Sequence, residues 1–295
     1  MGQLEGTVEG TMSQQDQGGF EQNPEKRRGR RELEEWLVRE TLDVAFLQEV
    51  GQQPLRKQLT SQWQVFQWGR AAVVVHDRTT AIARPELNPM KGYDGWDACI
   101  VDVHLGAGRE YVRCVSVYRD GQKLASEFLQ WLEDNVGKWA LHCAVVIGGD
   151  FNIHAKVAGA QRNQNGGRRL EGFVASLEED GGELLNNGSM TYKDFVGSNR
   201  DPPRRHSPID ITMFLPEAGR VGEVKCMEWC VGDQEMSDHC QIRFEVVTPW
   251  GWQDIPDDTS DREGGEATQP SCNMGYDVDK KAFAEVDDEV GDSCE

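Results

Sequence analysis

The sequence predicts an α/β protein in which two β-sheets pack face to face and helices cover their outer sides. Two observations carry this expectation. Apolar runs of strand length recur along most of the chain, among them residues 44–47, 71–75, 98–105, 112–117 and 143–147. Continuous runs of that kind suit strands covered on both faces. Strand pairs alternate with a few segments of helical period, which places helices outside sheets rather than in a bundle.

Each element has its own signal. Residues 27–40 read as a helix, with Leu33, Trp36 and Leu37 on one face and charge on the other. A buried strand, 43–47, then closes on Gln48-Glu49. Strands follow at 63–68, 71–76, 98–105 and 111–118. Residues 123–139 form an amphipathic helix through Leu124, Phe128, Trp131, Leu132 and Val136. The strand 143–147 runs into Gly148-Gly149, read as a turn that delivers Asp150. Leu170, Phe173, Val174 and Leu177 mark another helix. Strands recur at 183–185, 190–195, 209–215, 224–229 and 241–247. Pro249 and Gly251 mark the end of the domain. The expected organisation is a polar, disordered segment over 1–19, one domain over 20–247, and an acidic, disordered tail over 248–295.

Charge and cysteine content narrow the function. The net charge of −20 is unusual for a nucleic-acid binder, but much of it is peripheral. Residues 253–295 hold 14 acidic side chains against 3 basic ones. The central region is only mildly negative, and phosphate contact needs local basic patches whatever the total. Such patches occur at Arg27-Arg28 with Arg30-Arg31, at Arg162 with Arg168-Arg169, and at Arg200 with Arg204-Arg205. The eight cysteines include no pair two residues apart, and the Cys226–Cys230 spacing has no partner pair to complete a zinc site. Cys99, Cys114 and Cys143 fall inside strand runs, as small buried apolar residues do. No signal peptide and no membrane-spanning run is visible, so a nuclear or cytoplasmic protein without membrane association is expected.

The chemistry gathers at strand ends. Gln48-Glu49, Gly148-Gly149-Asp150-Phe151-Asn152, Ser207-Pro208-Ile209-Asp210 and Ser237-Asp238-His239 each follow or close an apolar run. Four such ends can converge on one cleft in a sheet protein. Oxygen ligands with one imidazole suit Mg²⁺ and a phosphate ester better than zinc. Asp150 and Asn152 alternate with Phe151, so one side presents a carboxylate and an amide while the ring packs inward. Arg204 and Arg205 stand just before Ser207, where a rim contact to backbone phosphates is expected.

In this order, and joined by Asn186 and Met190-Thr191-Tyr192, these residues resemble the endonuclease/exonuclease/phosphatase superfamily over roughly residues 20–247. The run from Gly148 to His239 is most similar to the endonuclease domain of non-LTR, LINE-type retrotransposons. The resemblance implies a four-layer, deoxyribonuclease-like sandwich and a monomeric hydrolase dependent on Mg²⁺ or Mn²⁺ that cuts DNA. It implies that Glu49 and Asp238 hold the metal. Asn23, in Gln22-Asn23-Pro24-Glu25, is the candidate for the amide that closes the family's first strand and helps hold the metal. Asp150 and Asn152 would position the attacking water and the phosphate. Asp210 would orient His239, which faces the phosphate together with Tyr118. Where the family usually follows this tyrosine with proline and asparagine, Arg119-Asp120-Gly121 stand instead. Ser207 and His154 are further substrate-side candidates. A phosphatase or phospholipase of the same superfamily, and an inactive interaction domain, remain the alternatives.

Overall fold

The computed structural model describes residues 33–39, 42–51, 55, 59–89, 95–105, 111–193, 206–220, 224–232, 239–247 and 271–278. In chain order the elements are helix α1 (33–39), β1 (Val44–Gln48), β2 (Trp63–Trp68), β3 (Ala71–His76), β4 (Ala81–Ala83), β5 (Trp96–His104) and β6 (Tyr111–Arg119). Then come α2 (Ala125–Ala140), β7 (Ala144–Asp150), a short 3₁₀ turn at Lys156–Ala158, α3 (Gly167–Glu179), β8 (Glu183–Leu184), β9 (Tyr192–Lys193) and β10 (His206–Ser207). The chain closes with β11 (Asp210–Leu215), β12 (Lys225–Val231), β13 (Ile242–Val247) and β14 (Ser271–Val278).

Twelve of these strands build two six-stranded sheets, ordered β12-β13-β14-β1-β3-β2 and β4-β5-β6-β7-β11-β8, and β9 and β10 form a small ladder apart. Apolar side chains of both sheets meet in one core. Val44, Phe46, Val73 and Val75 from the first sheet pack with Val101, Cys114, Val146 and Phe214 from the second. The outer face of the second sheet is covered by α2 and α3 through Phe128, Leu132, Leu170 and Val174. Trp36 and Leu37 of α1 cover the first sheet over Ala45, Leu47 and Val74. The result is the expected four-layer sandwich. Central strands lie under apolar cover on both sides, which is why β1, β3 and β7 read as continuous apolar runs instead of alternating ones.

Two local expectations are corrected. Gly148 and Gly149 are not a turn, because β7 runs straight through them to Asp150. Gly149 is required for another reason. Its φ is 147°, and a Cβ there would collide with the carbonyl oxygen of Val117 on the neighbouring strand. The second correction concerns the C-terminal region, expected as tail from residue 248. Residues Ser271–Val278 form β14, which runs parallel to β1, from Val44 beside Met274 to Gln48 beside Val278. On its other side β14 is antiparallel to β13, from Ile242 beside Tyr276 to Val247 beside Ser271. It therefore joins the two halves of the first sheet. The expected first strand near residues 19–21, with Asn23, lies outside the described residues, as do Arg204, Arg205 and Asp238.

Candidate active site

Strand register builds one row of polar side chains across the second sheet. Asp97 on β5 pairs with Tyr118 on β6, Tyr118 with Asp150 on β7, and Asp150 with Asp210 on β11. All four share the face that looks toward the first sheet, the face of Cys99, Val146 and Phe214. The first sheet brings Glu49 to this row from the end of β1. Glu49 has φ 54°, a left-handed backbone that swings it off the strand axis. Its carboxylate lies beside the Tyr118 hydroxyl. Burial, and then the nearby Glu49 charge, push the Tyr118 phenol well above its ordinary value, so it stays protonated and can donate. The sheets are pinned together here by Gln48. Its Nε2 donates to Ser116 Oγ at 3.0 Å, and that hydroxyl lies 3.2 Å from Leu47 O.

Asp150 and Asn152 form a closed local unit. Asn152 donates from its backbone N to Asp150 Oδ1 at 2.9 Å and from Nδ2 to Asp150 Oδ2 at 2.7 Å. The same Nδ2 lies 2.8 Å from the carbonyl oxygen of Arg119. Asn152 has φ 49°, a conformation asparagine tolerates better than most residues. Phe151 turns the other way and is fully buried against Phe128.

His239 and Asp210 are joined through Nδ1, 2.9 Å from each carboxylate oxygen, and both residues are buried. Asp210 is itself fixed by its backbone. Its carbonyl accepts from Asn186 Nδ2 at 2.8 Å, and its N–H donates to Thr191 Oγ1 at 3.1 Å. Asn186 Oδ1 also accepts from Thr212 N at 2.8 Å, so one carboxamide acts as an extra strand partner for β11. The Tyr192 ring stands edge-on to His239, with centroids 5.0 Å apart. Ser207 reaches His154 instead of His239, with Oγ 2.7 Å from Nδ1. Burial, and then Arg162, lower the His154 pKa and so favour the neutral ring in this hydrogen bond. Glu49, Tyr118, Asp150, Asn152, Asp210 and His239 thus occupy one end of the sandwich, with Ser207 and His154 beside them.

One important residue escaped the sequence. Arg119 was noted only as a departure after Tyr118, where a strand-end arginine is ordinarily solvated. It is fully buried. Its guanidinium donates to the carbonyls of Phe151 and Asn152, each at 2.6 Å, and to those of Asp120 at 3.0 Å and Lys123 at 2.6 Å. It clamps the Asp150–Asn152 unit to the segment before α2. Burial lowers its pKa, and the Asp150 charge opposes that effect. No spacing rule announces such a role. Two carboxylate-bearing strand ends without a nearby cation would have been the only hint.

A carboxylate, an amide and a carboxylate-backed histidine thus meet at the strand ends between two packed sheets. Comparison with known proteins places this arrangement among similar folds. The endonuclease–reverse transcriptase family profile matches residues 112–243. Among solved structures, the chain is similar to the endonuclease domain of TRAS1, a telomere-specific non-LTR retrotransposon. That match has a TM-score of 0.54 at 19% identity, over 74% of this chain and 90% of that one. An endonuclease/exonuclease/phosphatase family protein from Bacteroides thetaiotaomicron superposes with a TM-score of 0.53 at 12% identity, covering 76% and 90%. Truncated Caenorhabditis elegans TDP2 gives 0.50 at 14%, covering 74% and 90%. Nothing matches among curated protein sequences. Over residues 112–243 the chain is similar to the endonuclease–reverse transcriptase family, and its fold is that of the endonuclease/exonuclease/phosphatase structures. No helix among the described residues is long and apolar enough to cross a membrane.

Proposed function

We propose that this protein is a DNA endonuclease of the retrotransposon type, hydrolysing a phosphodiester bond with Mg²⁺ or Mn²⁺. The observation that carries the reading is the Tyr118–Asp150–Asp210 row, with His239 held at 2.9 Å by both oxygens of Asp210. A carboxylate with an amide, a phenol and a carboxylate-backed imidazole converge on one site. That is the set needed to position water and to stabilise charge on a phosphate. The family profile over residues 112–243 and the likeness to the TRAS1 endonuclease domain support DNA as the substrate.

The donor set beside Glu49 is compatible with a hard divalent cation. It offers the Glu49 carboxylate and the buried Gln48 Oε1, which has no donor among the described residues. No group of three or more potential His, Cys, Asp or Glu ligands occurs among the described residues. Mg²⁺ commonly uses one or two carboxylates and completes its shell with water and substrate phosphate. Glu49 and Asp238 are the residues assigned to hold it. When bound, the ion supplies positive charge for the phosphate oxygens.

The remaining steps fall to side chains. Asp150 accepts a proton from the attacking water, and Asn152 fixes that carboxylate. The water oxygen bonds to phosphorus as one P–O ester bond breaks, and the leaving sugar oxygen takes up a proton from solvent. His239 donates toward the phosphate oxygens through Nε2, because Nδ1 is committed to Asp210. Tyr118 donates its hydroxyl proton to the same charge. Plasmid nicking with Mg²⁺, with and without EDTA, tests the reading. Conversion of supercoiled to relaxed plasmid, abolished by EDTA, is the expected result. Release of phosphate from inositol phosphates with no nicking would replace it by the phosphatase alternative.

A further inference from the structure

Arg70 stands at the mouth of the cleft, in the turn between β2 and β3. That turn is shaped around a carboxylate. Gly69 has φ 59°, and a Cβ on it would collide with Asp97 Oδ1. Asp97 Oδ2 accepts from the Arg70 backbone N at 3.2 Å and from its Nε at 2.9 Å. The guanidinium carbon lies 4.4 Å from the centroid of the Tyr118 ring. The Arg70 carbonyl accepts from Val50 N at 3.1 Å, which ties the turn to the residue after Glu49. Arg70 therefore spans the two sheets beside Glu49 and the polar row.

The guanidinium is held on one edge and open on the other. Asp97 engages Nε, and the two terminal nitrogens have no acceptor among the described residues. The side chain keeps 40% exposure while Asp97 keeps 16%. A planar fork with fixed orientation and an unoccupied edge suits a phosphate oxyanion. Arg119, by contrast, has its nitrogens committed to four carbonyls and is fully buried.

We propose that Arg70 binds a backbone phosphate of DNA beside the cleavage point, and that Asp97 and the Tyr118 ring pre-orient it. The inference rests on the endonuclease reading above and deepens it. Arg70 reads no base, so its contribution is the same on every sequence. Its fixed posture lowers the ordering cost of the contact.

The test uses the full chain with Arg70→Met, Arg70→Lys and Asp97→Asn. Duplex DNA binding is followed by fluorescence anisotropy over a salt series, and plasmid nicking is followed in parallel. Arg70→Met is expected to weaken binding about tenfold at low salt. It should also flatten the dependence of log Kd on log salt by roughly 0.9, the value of one phosphate contact. Arg70→Lys should retain that slope, because the charge remains, and lose part of the affinity with the fork. Asp97→Asn should weaken binding and leave the slope intact. Urea unfolding of each variant separates a folding defect from a binding one, and Arg70→Lys carries the test if Arg70→Met does not fold. Folded Arg70→Met with the wild-type Kd and slope would overturn the proposal while the endonuclease reading stands. A wild-type protein that neither binds duplex DNA nor nicks plasmid would overturn both.

Discussion

Nδ1 of His239 lies 2.9 Å from both carboxylate oxygens of Asp210, and the pair is buried. The bond fixes which nitrogen carries the proton inward and turns Nε2 away from β11. An amide at position 210 would present one oxygen and one NH₂ group, and would stabilise a charged ring far less. Asp210→Asn is therefore expected to lose activity nearly as heavily as His239→Ala, by about a thousandfold or more for groups acting as a unit. The double variant should add little to either single one. Single-turnover nicking rates measure this, and a fully active Asp210→Asn protein would make Asp210 a structural residue.

Arg119 makes a second, separable prediction. Its four carbonyl bonds tie the Asp150–Asn152 unit to the segment before α2. Arg119→Met leaves those buried carbonyls without a donor, at roughly 1–3 kcal/mol for an unsatisfied group. Its urea midpoint should fall markedly. Arg119→Lys keeps a charge but cannot reach both loops. It should remain folded and lose about 10- to 100-fold in kcat, with KM little changed, as expected for misplaced catalytic groups. Unchanged kcat in a folded Arg119→Lys protein would confine the residue to stability.

Much of this site was legible because strand ends expose their chemistry in order. Glu49, Asp150, Asp210 and His239 each terminate or follow an apolar run, and the runs are what fix the register. What stayed hidden depends on contacts across the chain. The burial of Arg119 is decided by the carbonyls of Phe151 and Asn152, some thirty residues on. The orientation of Arg70 is decided by Asp97 on the other sheet. Gly148-Gly149 was misread as a turn because glycine permits one. The actual demand was the close approach of the Val117 carbonyl, which only pairing with β6 creates. β14 was missed for a similar reason. Its sequence, Ser-Cys-Asn-Met-Gly-Tyr-Asp-Val, is embedded in acidic surroundings and lacks an apolar run. Pairing on both edges supplies what local propensity does not.

The His154–Ser207 bond predicts a pH dependence of stability. His154 Nδ1 is hydrogen-bonded to Ser207 Oγ, and burial and Arg162 both disfavour the protonated ring. Its folded pKa therefore lies below the ordinary value of 6.5. Above 6.5 the ring is neutral in both states and the contribution is complete. As pH falls below 6.5 the unfolded chain takes up the proton first, and stability is lost down to the folded pKa. Urea midpoints between about pH 5 and pH 8 should fall on the acid side more for the wild type than for His154→Gln. Parallel curves for the two proteins would show that His154 does not titrate as its surroundings require.

β14 makes residues 271–278 part of the first sheet. It lies between β1, which delivers Glu49, and β13, which follows His239. Val278 pairs with Gln48, so the strand ends one residue short of the level of Glu49. Removing it would leave β1 and β13 with open edges inside a sheet, not at its border. A chain ending at Pro270 is thus expected to lose stability and nicking together. Tyr276→Pro in the full chain is the finer probe, because proline removes a ladder donor in an interior strand and costs about 3 kcal/mol or more. Hydrogen exchange on the unaltered protein gives the direct measurement. Backbone amides of residues 272–278 should be protected to the degree seen in β1, and Tyr276→Pro should release both strands. Amides in 272–278 that exchange as fast as those of an unfolded peptide, together with full activity of the chain ending at Pro270, would remove β14 from the working fold.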